Sequence, residues 1–464
     1  KFLKSDQASE PKKTAADKPD RTVNSIEAFV GGCTSFDILS MKLRFTKSSI
    51  AQTWDYKTQR YVTDKVLSSE TFKPKSENGK YRGYAAFNSP VDEALFVLAG
   101  ADDKDNKRVT DYFILNATAD GDIAEKPVDI TGAQSLVYAD QVADGDVVLV
   151  FAPHSGSADI SQYTYLKYAC DGTMKNKCTF KSPSNNLLVL NAQEKDGSIF
   201  FCATSSKKDD AYDDVYSEYA GAISNPCFTD GENKLDARWA KDADGKMEHF
   251  HLLKFTGNNF DFGSTANISE FKEKFKTTEA DRHADPYKGK KFYVESFTIT
   301  PAGEYLIAGQ LTGREKTGSS SSVKTYEDIV CMHFDKSGQL RAQYGVEKMN
   351  NDKKSSAFPI NQSFIPSKDG KSLYWEIMEV KGFKGYASFV DAYNGNQTWY
   401  SAYFPRISKL DPNSMTLGDF KVLGDENYYI RKNVNPIINS DGSVVFVGSD
   451  ENGKNLWLAK YDFQ

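Results

Sequence analysis

Short apolar runs recur along the chain, each entered through a polar turn: residues 95–100, 147–151, 199–203, 305–309, 373–378 and 444–448. Runs this short, bounded by turn residues, read as strands rather than helices. Most of the entry turns are Asp-Gly or Ala-Gly: Asp144-Gly145, Asp196-Gly197, Ala302-Gly303, Asp369-Gly370 and Asp441-Gly442. Between β-rich runs, Asp-Gly is the strongest short-range hairpin signal. A second apolar element trails each run and closes on another polar turn, at 112–115, 165–168, 252–255, 329–334, 407–410 and 456–461. A weaker seventh copy covers 38–45 and 54–62.

The first three runs begin at 95, 147 and 199, and the later gaps of 106, 68 and 71 residues imply insertions in the second half. Units of about 50 residues with four short strands each are what a β-propeller blade requires. The pattern therefore predicts an all-β chain: a β-propeller of seven four-stranded blades, with six or eight as the neighbouring counts. The last copy ends after its third strand, so a strand over 23–30 is expected to complete that blade and close the ring. Residues 1–21 hold ten charged side chains and two prolines, which reads as a disordered polar leader or tether before a single propeller domain over 22–464. Phe271 and Phe275, four residues apart behind Asn267 and Ser269, predict a short amphipathic helix within 267–283.

Residues 439–462, Asn-Ser-Asp-Gly-Ser-Val-Val-Phe-Val-Gly-Ser-Asp-Glu-Asn-Gly-Lys-Asn-Leu-Trp-Leu-Ala-Lys-Tyr-Asp, resemble a TolB-type propeller repeat, as do 366–375, Pro-Ser-Lys-Asp-Gly-Lys-Ser-Leu-Tyr-Trp. In that family a Ser-Pro-Asp-Gly turn leads into a strand; both copies here lack its proline. The resemblance covers about four of the units and implies the fold rather than an activity. The Lys- and aromatic-rich composition with a polar leader also resembles exported Bacteroidota propellers, which implies a periplasmic, outer-membrane or cell-surface address.

Charge narrows the partners. The 58 Lys and Arg nearly balance 64 Asp and Glu, giving −6, without the basic excess of a nucleic-acid binder. Lys outnumbers Arg more than fourfold, the balance of a solubilising surface rather than a phosphate-binding one. No apolar run approaches the length of a membrane-spanning helix. Cys170 and Cys178 bracket a turn-rich segment, so a hairpin would bring them within disulfide reach; Cys202 and Cys227 are a weaker second pair. The plainer reading is that all the cysteines are small buried hydrophobes.

On a propeller, function resides in the loops. Asp209, Asp210, Asp213 and Asp214 offer four carboxylates in six residues, enough oxygen for calcium, although a solvated acidic loop is the simpler account. The residues 391–406 carry Tyr393, Trp399, Tyr400, Tyr403, Phe404 and Arg406, and Tyr428, Tyr429 and Arg431 follow in the next connection. Tyr, Trp and Arg dominate interface hot spots, and flat aromatic faces beside amides suit sugar rings. His249 and His251 alternate on an expected strand and so share a face, but no third metal ligand is identifiable. No nucleophile elbow, metalloprotease helix or phosphate loop occurs. These features favour a non-catalytic exported scaffold for an envelope or cell-surface protein. Alternatives are a carbohydrate-binding or glycan-cleaving propeller and a calcium-stabilised structural module.

Overall fold

The computed structural model describes residues 20–23, 33–37, 42–55, 60–72, 81–88, 94–102, 109–118, 123–207, 209–216, 247–316, 322–349, 359–384, 400–423, 429–430, 437–439, 443–449 and 456–463. The chain builds antiparallel sheets one after another. In the first, β1 (Asp20–Val23) and β2 (Cys33–Asp37) pair with one edge of β3 (Lys42–Asp55), and β4 (Arg60–Phe72) pairs with the other. The second runs in simple order through β5 (Tyr81–Asn88), β6 (Ala94–Asp102), β7 (Val109–Thr118) and β8 (Ile123–Pro127). The third repeats it with β9 (Gln134–Gln141), β10 (Val147–Pro153), β11 (Gln162–Tyr168) and β12 (Met174–Lys181). The fourth does so with β13 (Leu188–Lys195), β14 (Ser198–Ser206), β15 (Met247–Thr256) and β16 (Asn259–Asn267).

In the fifth sheet, β17 (Phe275–Lys276) adds in parallel to the outer edge of a meander of β18 (Phe292–Ile299), β19 (Tyr305–Lys316), β20 (Ser322–Phe334) and β21 (Leu340–Val346). The sixth begins with β22 (Gln362–Pro366), β23 (Leu373–Lys384) and β24 (Tyr400–Asp411), along which the short β25 (Thr416–Leu417) and β26 (Lys421–Val422) return. It continues through β27 (Tyr429–Ile430) into β28 (Ile437–Ile438), β29 (Ser443–Ser449) and β30 (Leu456–Asp462). The first strands β5, β9, β13, β18 and β22 touch one another in succession, so the sheets stack around a common line in the manner of propeller blades.

The six sequence runs are the second strands of these units and the trailing elements are the third. Their apolar continuity has a cause: inner strands are covered on both faces. All seven residues of β10 are buried, whereas β12 at the sheet edge alternates between exposed and covered positions over its second half. The Asp196-Gly197 turn places both residues at positive φ, 50° and 73°, as a two-residue hairpin of the right twist requires. At Gly145, Gly303 and Gly370 the glycine N–H instead closes on a carbonyl three residues earlier, at 2.9, 3.0 and 2.9 Å.

The core lies between sheets. One cluster unites sheets three, four and five, and includes Tyr165, Phe180, Phe201, Phe255, Phe271 and Phe334. A second joins sheets two and three around Phe96 and Phe151, and a third joins five and six around Tyr344 and Trp375. A residue such as Phe255, 1% exposed, stabilises the fold by about 1.5–3 kcal/mol relative to an exposed position.

Four expectations need correction. Of the strand expected over 23–30 only Val23 is described, and it belongs to β1, paired with Ile50 of β3 rather than with the last blade. Asp20 and Arg21, assigned to the leader, are in the same strand. The helix is α2 (Ile268–Glu273), shorter than its apolar spacing suggested. Phe271 is buried beneath it, but Phe275 has left the helix, because the Gln343 amide captures the Lys274 carbonyl at 3.0 Å and draws the chain onto β21. No disulfide joins Cys170 to Cys178: Cys170 packs into the layer between sheets two and three and Cys178 into that between three and four. Cys202 is a buried free thiol at the centre of sheet four, and Cys227 lies outside the described residues.

Candidate site at the junction of the fifth and sixth sheets

Tyr393, Trp399, Tyr428 and Arg431 of the expected aromatic site lie outside the described residues. For Tyr400, Tyr403, Phe404 and Tyr429 the backbone is defined. Tyr400 pairs with Lys384, Phe404 with Glu379, and Tyr403 with Ile430, so β27 brings the two parts of the expected site onto neighbouring strands. Arg406 is defined to its guanidinium, and it is not an exposed anchor. It is 6% exposed and faces the fifth sheet.

Its surroundings were not legible in the sequence. Gln362, Ile377 and Arg406 stand in one row across β22, β23 and β24, and Glu379 follows two residues along β23 on the same face. Arg406 Nη1 lies 3.7 Å from Glu379 Oε1, which also accepts the Met349 amide at 3.1 Å. Arg406 Nη2 donates to the Glu347 carbonyl at 3.2 Å, and its guanidinium carbon lies 5.1 Å from the centre of the Phe420 ring. The connection leaving β21 thus closes over the pair. Gln310 of β19, in the fifth sheet, accepts the Ile360 amide at 2.6 Å and donates to the Glu327 carbonyl at 2.9 Å.

Several polar atoms here have no hydrogen-bond partner: Glu379 Oε2, Arg406 Nε, both ends of the Gln362 amide and Trp375 Nε1. Each such group sacrifices about 1–3 kcal/mol, and ions taken out of water cost several kcal/mol each unless well paired. Burial pushes the Glu379 carboxyl above its usual range, against the opposing pull of Arg406. Glu376, on the opposite face of β23, accepts from Ser363 Oγ at 2.6 Å and is also raised by burial, which outweighs that bond. The signal that would have found Glu376 and Glu379 is the pair of carboxylates inside the run Leu-Tyr-Trp-Glu-Ile-Met-Glu-Val.

The remaining candidates disperse. Asp209 accepts from the Asn185 amide at 2.9 Å, and Asp213 accepts from the Ser155 amide at 2.9 Å beside the short α1 (Tyr212–Val215). Among the described residues no three His, Cys, Asp or Glu side chains converge as metal ligands. His251 is enclosed between Ser205 Oγ, 2.8 Å from Nε2, and Thr265 Oγ1, 3.0 Å from Nδ1, while His249 Nδ1 lies 3.1 Å from Asn267 Oδ1. Among the described residues no helix is long and apolar enough to cross a membrane.

No known family profile and no curated protein matches the chain. Solved structures do. A lignostilbene dioxygenase from Pseudomonas brassicacearum is 9% identical, with 91% of this chain and 82% of the other covered and a TM-score of 0.36. An α-L-arabinanase from Penicillium chrysogenum is 10% identical over 82% and 93%, with a TM-score of 0.28. The β-propeller domain of the Trilobed protease from Pyrococcus furiosus, described as having an open velcro topology, is 8% identical over 91% and 93%, with a TM-score of 0.26. At these identities no residue of theirs carries over to this chain.

Proposed function

We propose that this chain is an exported saccharide-binding propeller of seven blades, with TolB-like repeats, whose ligand seats against β24 and β27. The observation that carries the reading is the register that sets Tyr403 of β24 beside Ile430 of β27, which brings the aromatic-bearing segments 400–404 and 429–430 onto neighbouring strands. Support comes from β24, which carries Tyr400, Tyr403 and Phe404 in the same strand as Arg406; aromatic rings provide the apolar faces on which sugars stack. The test is calorimetric titration with neutral oligosaccharides. Saturable binding that the double substitution Tyr400→Ala, Tyr403→Ala weakens at least tenfold is expected. Binding that is absent, or that ignores the substitution, would overturn the reading.

A second reading, a scaffold for an envelope protein, draws on Ile438, Leu456 and Leu458 of the last sheet, exposed by 58%, 61% and 60%. Exposed apolar side chains mark interaction surfaces where they gather, as Leu456 and Leu458 do at alternate positions of β30. Detergent pull-down with Leu456→Lys and Leu458→Lys should release a stoichiometric partner if this holds. Identical recovery with both variants would count against it.

A further inference from the structure

We infer that the outer edge of β30 is a docking site for an extended strand of a partner protein, held antiparallel, with charged residues in its first half and apolar residues in its second. This site rests on the scaffold reading above and specifies how the partner is held.

β30 is the third strand of its unit. The third strands of sheets two to five, β7, β11, β15 and β20, each carry an antiparallel fourth strand, β8, β12, β16 and β21. β30 pairs with β29, and among the described residues no strand lies on its other edge. Such an edge presents a row of backbone N–H and C=O groups to any chain that can align with it. The outer edges of earlier sheets are blunted. β8 ends on Pro127, the exposed positions of β16 are Asn259, Asp261, Gly263, Thr265 and Asn267, and β17 lies along β21.

β30 lacks these devices over its first half. On one face Trp457 and Tyr461 pack against the cluster of Val444 and Phe446. On the other, Leu456 and Leu458 are exposed by 61% and 60%, and Lys460 and Asp462 complete the exposed row. Leu458 pairs with Val447, and Val445 pairs with both Lys460 and Ile437, itself 42% exposed, so the apolar surface continues inward from the edge.

The order of the row identifies the occupant. Two copies of this chain meeting edge to edge about a two-fold axis would run antiparallel. With the whole strand engaged, Leu456 of each would face Asp462 of the other and Leu458 would face Lys460, burying charges against apolar side chains. A foreign strand is free of that constraint. Running antiparallel, it meets Asp462 first, then Lys460, Leu458 and Leu456, so its complement reads basic, acidic, apolar, apolar at alternate positions. Opposite charges and apolar side chains stabilise when directly opposed across strands, and like charges destabilise. Main-chain hydrogen bonds supply the affinity and these pairs the register.

The test uses the full chain and the fluorescently labelled peptide Ser-Lys-Thr-Glu-Thr-Val-Thr-Val-Ser, by anisotropy and hydrogen exchange. Saturable binding that slows exchange in β30 is expected. Exchanging Lys and Glu within the peptide should weaken binding about tenfold, and the double variant Lys460→Glu, Asp462→Lys should reverse that preference. Leu458→Lys should weaken both peptides about tenfold. Thermal melting verifies that each variant is folded, and if Leu458→Lys fails to fold, the charge exchange still decides. Absent binding, or a preference that the double variant leaves unchanged, overturns strand addition; the scaffold reading stands in that case if the pull-down still loses its partner on Leu456→Lys and Leu458→Lys. Identical recovery in that pull-down overturns both. A dimer that Leu458→Lys dissociates would assign the edge to a second copy. Exchange in β30 as slow as in β29 without peptide would assign it to this chain's own residues. Either result overturns the inference.

Discussion

His251 is 1% exposed, and burial, reinforced by neighbouring His249, pushes its pKa down to about 3. The folded protein therefore holds it neutral, while the unfolded chain protonates it near pH 6.5. The unfolded state binds the extra proton, so stability is fully present above about pH 6.5 and is lost as pH falls toward the folded value. Each unit in that window costs about 1.4 kcal/mol. Urea unfolding at pH 7 and pH 5 should differ by about 2 kcal/mol from this group, and His251→Gln should flatten the dependence. At Arg406 the expected effect is larger. Arg406→Ala leaves Glu379 buried without its countercharge and should cost about 3–5 kcal/mol, whereas the double variant Arg406→Leu, Glu379→Leu should recover most of it; thermal melting at neutral pH decides. Arg406 was visible in the sequence because an arginine amid aromatics stands out. Glu379 was not, because a strand sequence does not reveal which face a carboxylate will share with a residue 27 positions away. That juxtaposition is a product of register.

At the scale of elements, legibility followed burial. Strands covered on both faces, such as β10 and β14, announce themselves as unbroken apolar runs. Outer strands such as β16, with exposed positions at alternate residues over much of its length, are weakly marked. The end of α2 departs from its apolar spacing for a different reason: Phe271 and Phe275 are spaced for a helix, yet the edge of β21 competes for the chain. The helix start is better determined, since the Glu270 carboxylate reaches back to the Asn267 amide at 3.1 Å. Glu270→Ala should cost about 0.5–2 kcal/mol in chemical denaturation, in line with the loss of a cap.

Across the whole molecule, ionic and polar ties link sheets that the apolar layers already join. Lys167 of β11 reaches Asp144 at 3.0 Å and Glu194 of β13 at 2.8 Å, which binds sheet three to sheet four. Burial resists charging of Asp144, but the Asp146 amide and Lys167 overcome it and hold the carboxyl down at about 2. Lys195 then donates to the Ile299 and Thr300 carbonyls at 3.1 and 2.9 Å, which binds sheet four to sheet five. Because one apolar cluster also spans these three sheets, they should open as a unit. Hydrogen exchange is expected to be slowest in β10, β14, β15 and β20, and faster exchange there than in β29 would contradict this.

Every sheet through the fifth is assembled from an uninterrupted stretch of chain. A ribosome adding about 5–20 residues per second delivers a 50-residue unit in roughly 3–10 s, and β-rich units of that size fold in milliseconds to seconds. Each sheet therefore has time to form before its successor emerges, and serves as the surface on which the next one condenses. The nine-strand sheet is likewise built from one stretch, β22 to β30, with β29 and β30 the last of its strands to be made. Premature termination after β24 would release a chain with five finished sheets and a raw strand edge, a species that quality-control proteases and chaperones would meet before any ligand did.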